Sequence, residues 1–392
     1  MGSDTPPLLS TRARTQTTSA IRELLEHATR PGMISLAGGL PDPGLFPTER
    51  LAAIAAQTIR ERGDEVLQYG LTAGDLAFRE HLALTTPAAT GADEVLVTTG
   101  SQQALHLLGA ALIDPGDPIV VGDPDYLGAL QAFRGADAAL VPVPVDVSGL
   151  VVEDLAARLV AGLRPKLVYV VPHFHNPTGA TLSQDRRRAL LDLADRYGFV
   201  VVFDDPYREL AVGGPPTEPE PHAMAVHLRT VSKVLAPGLR VGWVIGPRWL
   251  LHAVEGAKQA ADLHTSSLSQ AIAHAAMTAP WFPTHIEQLR TATRIKRDVL
   301  LDAIAARFGD RLSCTAPEGG MFAWATFADH TDTTLLLPSA LDRGVAFVPG
   351  DAFSVAADLR RRLRLSWATA TPDELDEAIG RLHNAHATLV SA

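Results

Sequence analysis

The sequence predicts an α/β protein: a three-layer α/β/α large domain around a mostly parallel sheet, with a smaller α+β domain after it. Two observations carry this. Short β-branched runs without polar alternation recur between helix-length Ala/Leu segments, the mark of strands buried on both faces of a largely parallel sheet. After about residue 293 the rhythm changes to a long helix, shorter strands and a final amphipathic helix, the pattern of an α+β unit.

Residues 1–18, rich in Ser, Thr, Pro and Arg, read as a mobile arm. In 19–48, Ser19 offers an N-cap to a short amphipathic helix through Ile21, Leu24 and Leu25, which stops before Arg30-Pro31-Gly32. The breakers Gly38, Gly39, Pro41, Pro43, Gly44 and Pro47 then impose an extended loop, and the segment is expected to join the small domain. Residues 49–293 form the large domain, with strands expected at 95–99, 118–121, 167–171, 200–203, 228–231 and 241–245 and helices between them, such as 183–197. Residues 294–392 form the small domain, with strands at 321–326, 345–348 and 364–367 and a helix from Pro372.

The chain has 392 residues, 34 Lys+Arg against 44 Asp+Glu, and one cysteine, Cys314. The negative balance disfavours a nucleic-acid partner, and a lone cysteine excludes an intrachain disulfide framework. The N-terminus lacks a basic segment followed by an apolar one, and runs such as 199–203 are far short of a membrane span, so a cytoplasmic protein without a membrane partner is expected. Lysine is scarce, occurring only at 166, 233, 258 and 296, so chemistry needing a side-chain amine has four candidates.

Ligands of open α/β sheets gather at the carboxyl ends of the strands. After 95–99 comes Gly100-Ser101-Gln102, where a glycine, a hydroxyl and a helix N-terminus suit an anion, although Ser101 also serves as an ordinary N-cap. No G-x-G-x-x-G or P-loop sequence is present. After 167–171 comes Pro172-His173-Phe174-His175-Asn176-Pro177, in which Asn176 starts a turn and the two histidines lack partners for a metal site, so no metal is expected. Asp204-Asp205-Pro206-Tyr207 follows 200–203 and offers a carboxylate where a cationic group would be met. Ser232-Lys233 follows 228–231, with Arg240 seven residues on. Lys166, Lys258 and Lys296 read as solvated surface charge, whereas Lys233 stands at a strand end, where desolvation would free its amine for a Schiff base.

This ordered set of motifs resembles the fold type I pyridoxal-phosphate enzymes of the aspartate aminotransferase superfamily. The run from Ile34 to Pro43 and the segment Gln68-Tyr69-Gly70 to Gly74 resemble its 2-aminoadipate/kynurenine aminotransferase branch. The resemblance implies that Lys233 carries pyridoxal 5'-phosphate as a Schiff base and shuttles the proton, and that Asp204 pairs with the pyridine nitrogen. It implies that Asn176 and Tyr207 hydrogen-bond the phenolic oxygen and that Tyr126 stacks on the ring. Ser101, Gln102, Ser232 and Arg240 would take the phosphate, with Tyr69 reaching it from the neighbouring subunit of a homodimer. Arg364 would clamp the substrate carboxylate beside Asn176 and Gly39, and Arg22 on the covering N-terminal helix would meet an acidic side chain. Arg22 paired with Glu26 at i+4 is the plainer alternative.

The implied reaction is ping-pong transfer of an amino group from an L-amino acid to a 2-oxo acid, with 2-oxoglutarate as one partner. The alternatives are β-elimination, decarboxylation or oxidation on the same cofactor, since the fold does not fix the reaction. A regulator's effector-sensing domain is a further alternative, against which the negative charge and the short segment before the domain weigh.

Overall fold

A computed structural model of the chain describes Leu8 and residues 30–214, 216–217 and 219–391. The strands in chain order are β1 Ile34–Ser35, β2 Val95–Thr98, β3 Pro118–Asp123, β4 Ala139–Asp146, β5 Gly149–Leu150, β6 Leu167–Val170, β7 Val200–Asp204, β8 Ala225–Thr230 and β9 Gly242–Ile245. They are followed by β10 Leu312–Cys314, β11 Phe322–Phe327, β12 Val345–Ala346, β13 Val348–Pro349 and β14 Arg362–Ser366.

Eight strands form one sheet in the order β2-β9-β8-β7-β6-β3-β4-β5. The pairs β4/β3, β3/β6, β6/β7 and β7/β8 are parallel, and β9 runs against both of its neighbours. Side chains alternate across this sheet with period two: Ile119, Val121, Leu167, Tyr169, Val200 and Val202 enter one core, Val120, Val168, Val170, Val201 and Phe203 the other. Both faces are therefore covered. Leu105, Leu108, Leu130, Phe133 and Leu250, from helices Ser101–Leu112, Leu127–Gly135 and Arg248–Asp262, pack on the first. Helices Val152–Val160 and Gln184–Tyr197 pack on the second.

The antiparallel sheet β10-β11-β14-β13 lies beside the parallel pair β1/β12, in which Ile34 and Ser35 pair with Val345 and Ala346. The run expected as one strand at 345–348 is two short ones, because Val345–Ala346 pairs with β1 and Val348–Pro349 with β14. The boundary expected at 293/294 falls inside one continuous helix, Phe282–Phe308. Its Ile286 and Leu289 belong to the large core, while Leu300, Ile304 and Phe308 belong to the small one. Among the described residues, no helix is long and apolar enough to cross a membrane.

Candidate active site

Because β2, β3, β6, β7 and β8 run the same way, the segments leaving their carboxyl ends meet at one sheet edge. Antiparallel β9 brings its leading residue Arg240 there as well. These segments and β14 enclose a cavity of about 410 Å³ lined by Gly39, Ser101, Gln102, Tyr126, Asn176, Asp204, Tyr207, Ser232, Lys233, Arg240 and Arg364.

Lys233 Nζ donates to the carbonyl of Gly39 at 2.8 Å. Desolvation, with Arg240 and Arg364 adding positive charge nearby and Asp204 opposing them, brings its ammonium down to about 8. Asp204 ends β7 and is 2% exposed, and its Oδ2 accepts from Tyr169 Oη at 2.9 Å. Its Oδ1 is buried without a hydrogen-bond partner. Burial pushes Asp204 up to about 7, Tyr169 opposes this, and Asp205 and Asp125 add repulsion.

Those two neighbouring acids explain the histidine pair. His173 Nδ1 lies 2.9 Å from Asp205 Oδ2, and His175 Nε2 lies 3.2 Å from Asp125 Oδ1. Each flanking acid thus meets an imidazole, whereas Asp204 accepts a hydrogen bond only from a neutral phenol and lines the cavity.

The turn after β2 presents Gly100 at φ +81°, where a Cβ would lie 2.6 Å from Arg240 Nη2. Only a residue without a side chain lets that guanidinium approach. Arg240 itself has a positive φ and donates to the Thr99 carbonyl at 3.2 Å. Ser101 Oγ is buried with no partner, while Gln102 Nε2 donates to the Gly128 carbonyl at 2.8 Å. Tyr126 caps helix Leu127–Gly135, and burial raises its phenol to about 12. Burial also holds the Tyr207 phenol well above its ordinary range, with a hydrogen bond from Asn176 opposing the rise. Ser232 Oγ accepts from Thr230 Oγ1 at 2.8 Å.

Arg364, which the run Arg360-Arg361-Arg362 could have marked as surface charge, is 1% exposed. Its guanidinium stacks 4.2 Å from the Phe322 ring and 4.8 Å from Phe353, donates to Asn176 Oδ1 at 2.7 Å, and donates to the Ala37 carbonyl. Burial brings it down to about 10.

A match to the family description Aminotransferase class I and II covers residues 33–382. The chain belongs to this family. As an aminotransferase it uses pyridoxal 5'-phosphate. It is 39% identical over 376 residues to an aromatic-amino-acid aminotransferase of Thermococcus litoralis, covering 93% of this chain and 90% of that one. It is 38% identical over 375 residues to a 2-aminoadipate transaminase of Thermus thermophilus, covering 94% and 93%. The kynurenine aminotransferase of Pyrococcus horikoshii superposes with a TM-score of 0.93 at 37% identity, covering 98% of both chains. The aminotransferase is thus of fold type I and similar to the 2-aminoadipate/kynurenine branch. The cavity suits the cofactor: an orphan carboxylate oxygen at Asp204 and an orphan hydroxyl at Ser101 are groups that the protein itself leaves unmatched, and Gly100 leaves room for a guanidinium beside them.

Tyr69, expected at the neighbouring subunit's phosphate and not in this chain's own cavity, is 78% exposed and packs edge-on to His264 at 5.8 Å. Arg22 and the helix expected from Ser19 lie outside the described residues. Two lysines expected as solvated charge are buried. The Lys258 side chain is 0% exposed, bonded to Asp262 at 2.8 Å, and Lys296 reaches Asp42 at 2.6 Å and the Ala368 carbonyl at 3.0 Å. Both correct the solvated reading: Lys258 is enclosed with Asp262 of its own helix, and Lys296 meets an acid and a carbonyl supplied by other elements. Lys166, half exposed beside Asp117, stays at the surface. The reading also missed Tyr169 and the carbonyls of Ala37 and Gly39. Tyr169 carried one signal, a hydroxyl in an otherwise aliphatic buried strand.

Proposed function

We propose that this aminotransferase moves the amino group of an L-amino acid to 2-oxoglutarate by a ping-pong cycle, with Lys233 as both attachment point and proton carrier. The carrying observation is the convergence of Lys233, Asp204 and Arg364 on one cavity, with the lysine's proton loosened and Asp204 Oδ1 free. When bound, the cofactor supplies an electrophilic carbon and an electron sink.

Asp204 Oδ1 would meet the ring nitrogen, Asn176 and Tyr207 the phenolic oxygen, and Tyr126 the ring face. Ser101, Gln102, Ser232 and Arg240 would hold the phosphate. Arg364 would take the substrate carboxylate as a bidentate clamp, its plane fixed by Phe322 and Phe353 and its position by Asn176 and Ala37. With the substrate in place, the free Lys233 Nζ would take the proton from the substrate Cα. The Gly39 carbonyl, already its partner, would keep the released amine over that carbon.

Leu40, Leu127 and Gln131 line the cavity beyond these groups, and its cations among the described residues are Lys233, Arg240 and Arg364. The walls therefore favour an apolar or aromatic donor side chain. A second carboxylate, as in 2-oxoglutarate or 2-aminoadipate, would depend on Arg22. The exposed apolar run Ile59, Leu67, Tyr69, Leu71 and Leu76 supports a homodimer in which Tyr69 serves the partner's phosphate.

The test is spectroscopic. Amino acids added singly to the purified protein should convert its visible cofactor band to the aminated form, with stoichiometric keto acid, and Lys233→Ala should lose the lysine-bound band. Ammonia or CO₂ release without keto-acid exchange would refute transamination. Arg22→Ala should raise KM for dicarboxylic substrates and spare aromatic ones, and equal effects on both would remove Arg22 from the site.

A further inference from the structure

Lys258 is the one lysine whose side chain is fully enclosed at 0% exposure, in the last turns of helix Arg248–Asp262. Its ammonium donates to Asp262 Oδ1 at 2.8 Å, Asp262 Oδ2 at 3.0 Å and Gln103 Oε1 at 3.0 Å, which uses all three of its protons. Asp262 Oδ2 accepts in addition from Gln103 Nε2 at 2.6 Å and Thr99 Oγ1 at 3.0 Å. Gln103 Oε1 takes the Thr99 N–H at 2.7 Å, and Thr99 Oγ1 lies 3.2 Å from Thr265 Oγ1.

Thr99 is therefore held at every polar atom: N–H by Gln103, hydroxyl by Asp262 and Thr265, carbonyl by Arg240. It is the residue before Gly100, so its placement sets where Gly100 turns and where the N–H and hydroxyl of Ser101 point. The pair is neutral overall, so it imposes geometry on the turn without adding net charge to it.

We propose that Lys258 and Asp262 are positioning residues for the cofactor phosphate, acting through Gln103 and Thr99 on the turn that carries Ser101. Neither would touch the phosphate itself. The proposal rests on the phosphate-binding role given above to Ser101 and Arg240.

The experiment compares two ligands differing only in the phosphate. Cofactor is removed from the purified enzyme, and rebinding of pyridoxal 5'-phosphate and of pyridoxal is followed in separate titrations. Lys258→Met should weaken pyridoxal 5'-phosphate binding about tenfold, the loss expected if the displaced turn gives up one hydrogen bond to the phosphate, and leave pyridoxal within about twofold. Gln103→Leu, which leaves the Lys258–Asp262 pair intact, should give the same selective loss, and the double variant should show less than the sum. Equal weakening of both ligands would mean a merely structural role and overturn the proposal, as would an unchanged affinity ratio in Gln103→Leu, which decides the matter if Lys258→Met does not fold. Arg240→Leu separates the two layers. If it shifts the ratio and the network variants do not, only this inference fails; if Arg240→Leu leaves the ratio unchanged, the phosphate reading itself fails.

Discussion

Desolvation and the nearby Arg240 and Arg364 place the loss of the Lys233 proton at about 8, within reach of ordinary buffers. Only the free amine attacks a carbonyl, so cofactor capture by the stripped protein should quicken as pH rises through about 8 and level off above it. Stopped-flow growth of the visible band would follow this. Arg364→Leu removes a positive neighbour, so the same rise should move to higher pH. Asp204 is the opposite case, its folded-state value raised from 3.8 to about 7 by burial. The folded, cofactor-free protein holds that proton longer than the unfolded chain does, so the site costs stability increasingly as pH climbs from about 4 to 7 and costs most above it. A shift of this size corresponds to about 4 kcal/mol. Cofactor-free Asp204→Asn should melt several degrees higher than wild type at pH 8 and show little difference near pH 4, as calorimetry would reveal.

At the scale of elements, the site is a set of strand ends tied to loops. Lys296, on helix Phe282–Phe308, holds Asp42 and the Ala368 carbonyl, and so pins the loop whose Ala37 and Gly39 carbonyls meet Arg364 and Lys233. Lys296→Met leaves Asp42 unpaired while about three-quarters buried. It should lower stability by roughly 2 kcal/mol, below the value for a fully buried pair, and raise KM for the amino acid as Arg364 loses its fixed partner. Denaturant titration and steady-state kinetics check both. The sequence made these strand ends legible because strands buried on both faces leave unbroken apolar runs, each closed by a polar motif. Strand β4 was missed because Pro142 and Pro144 interrupt its pattern and several of its side chains are only half-buried. Strand β8 begins three residues before the expected start, since Ala225 and His227 do not look like strand interior although both are buried. Lys296 and Tyr169 were illegible for a common reason: their partners Asp42 and Asp204 are 254 and 35 residues distant, and no local pattern encodes such pairings. Lys258 has its acid, Asp262, four residues on in the same helix, and what the local pattern did not show was its burial against Gln103, 155 residues away.

For the whole molecule, the homodimer reading predicts a sedimenting species of about twice the 41.7 kDa chain mass. It also predicts complementation. A Lys233→Ala chain still offers Tyr69, and a Tyr69→Phe chain still offers Lys233, so a heterodimer rebuilds one complete site. Random re-pairing of equal amounts should restore about a quarter of wild-type activity if sites act independently. Failure of the mixture to exceed its parents would place Tyr69 in no partner's site.

The helix Phe282–Phe308 is, at 1.5 Å per residue, a beam about 40 Å long with one end set in each core. Besides the loop at 36–47, it is where the backbone passes from the large unit to the small one that carries Arg364. A helix flexes gently but neither stretches nor slides in its own length, so any motion of the small unit about this one would be a pivot. Flexure of 3° over 20 Å displaces the far end by about 1 Å, enough to change whether a guanidinium grips a carboxylate. The enzyme's reach for its substrate would be an angular quantity, set by the stiffness of one helix, and a glycine introduced at Thr293 would loosen that grip without touching any residue of the cavity.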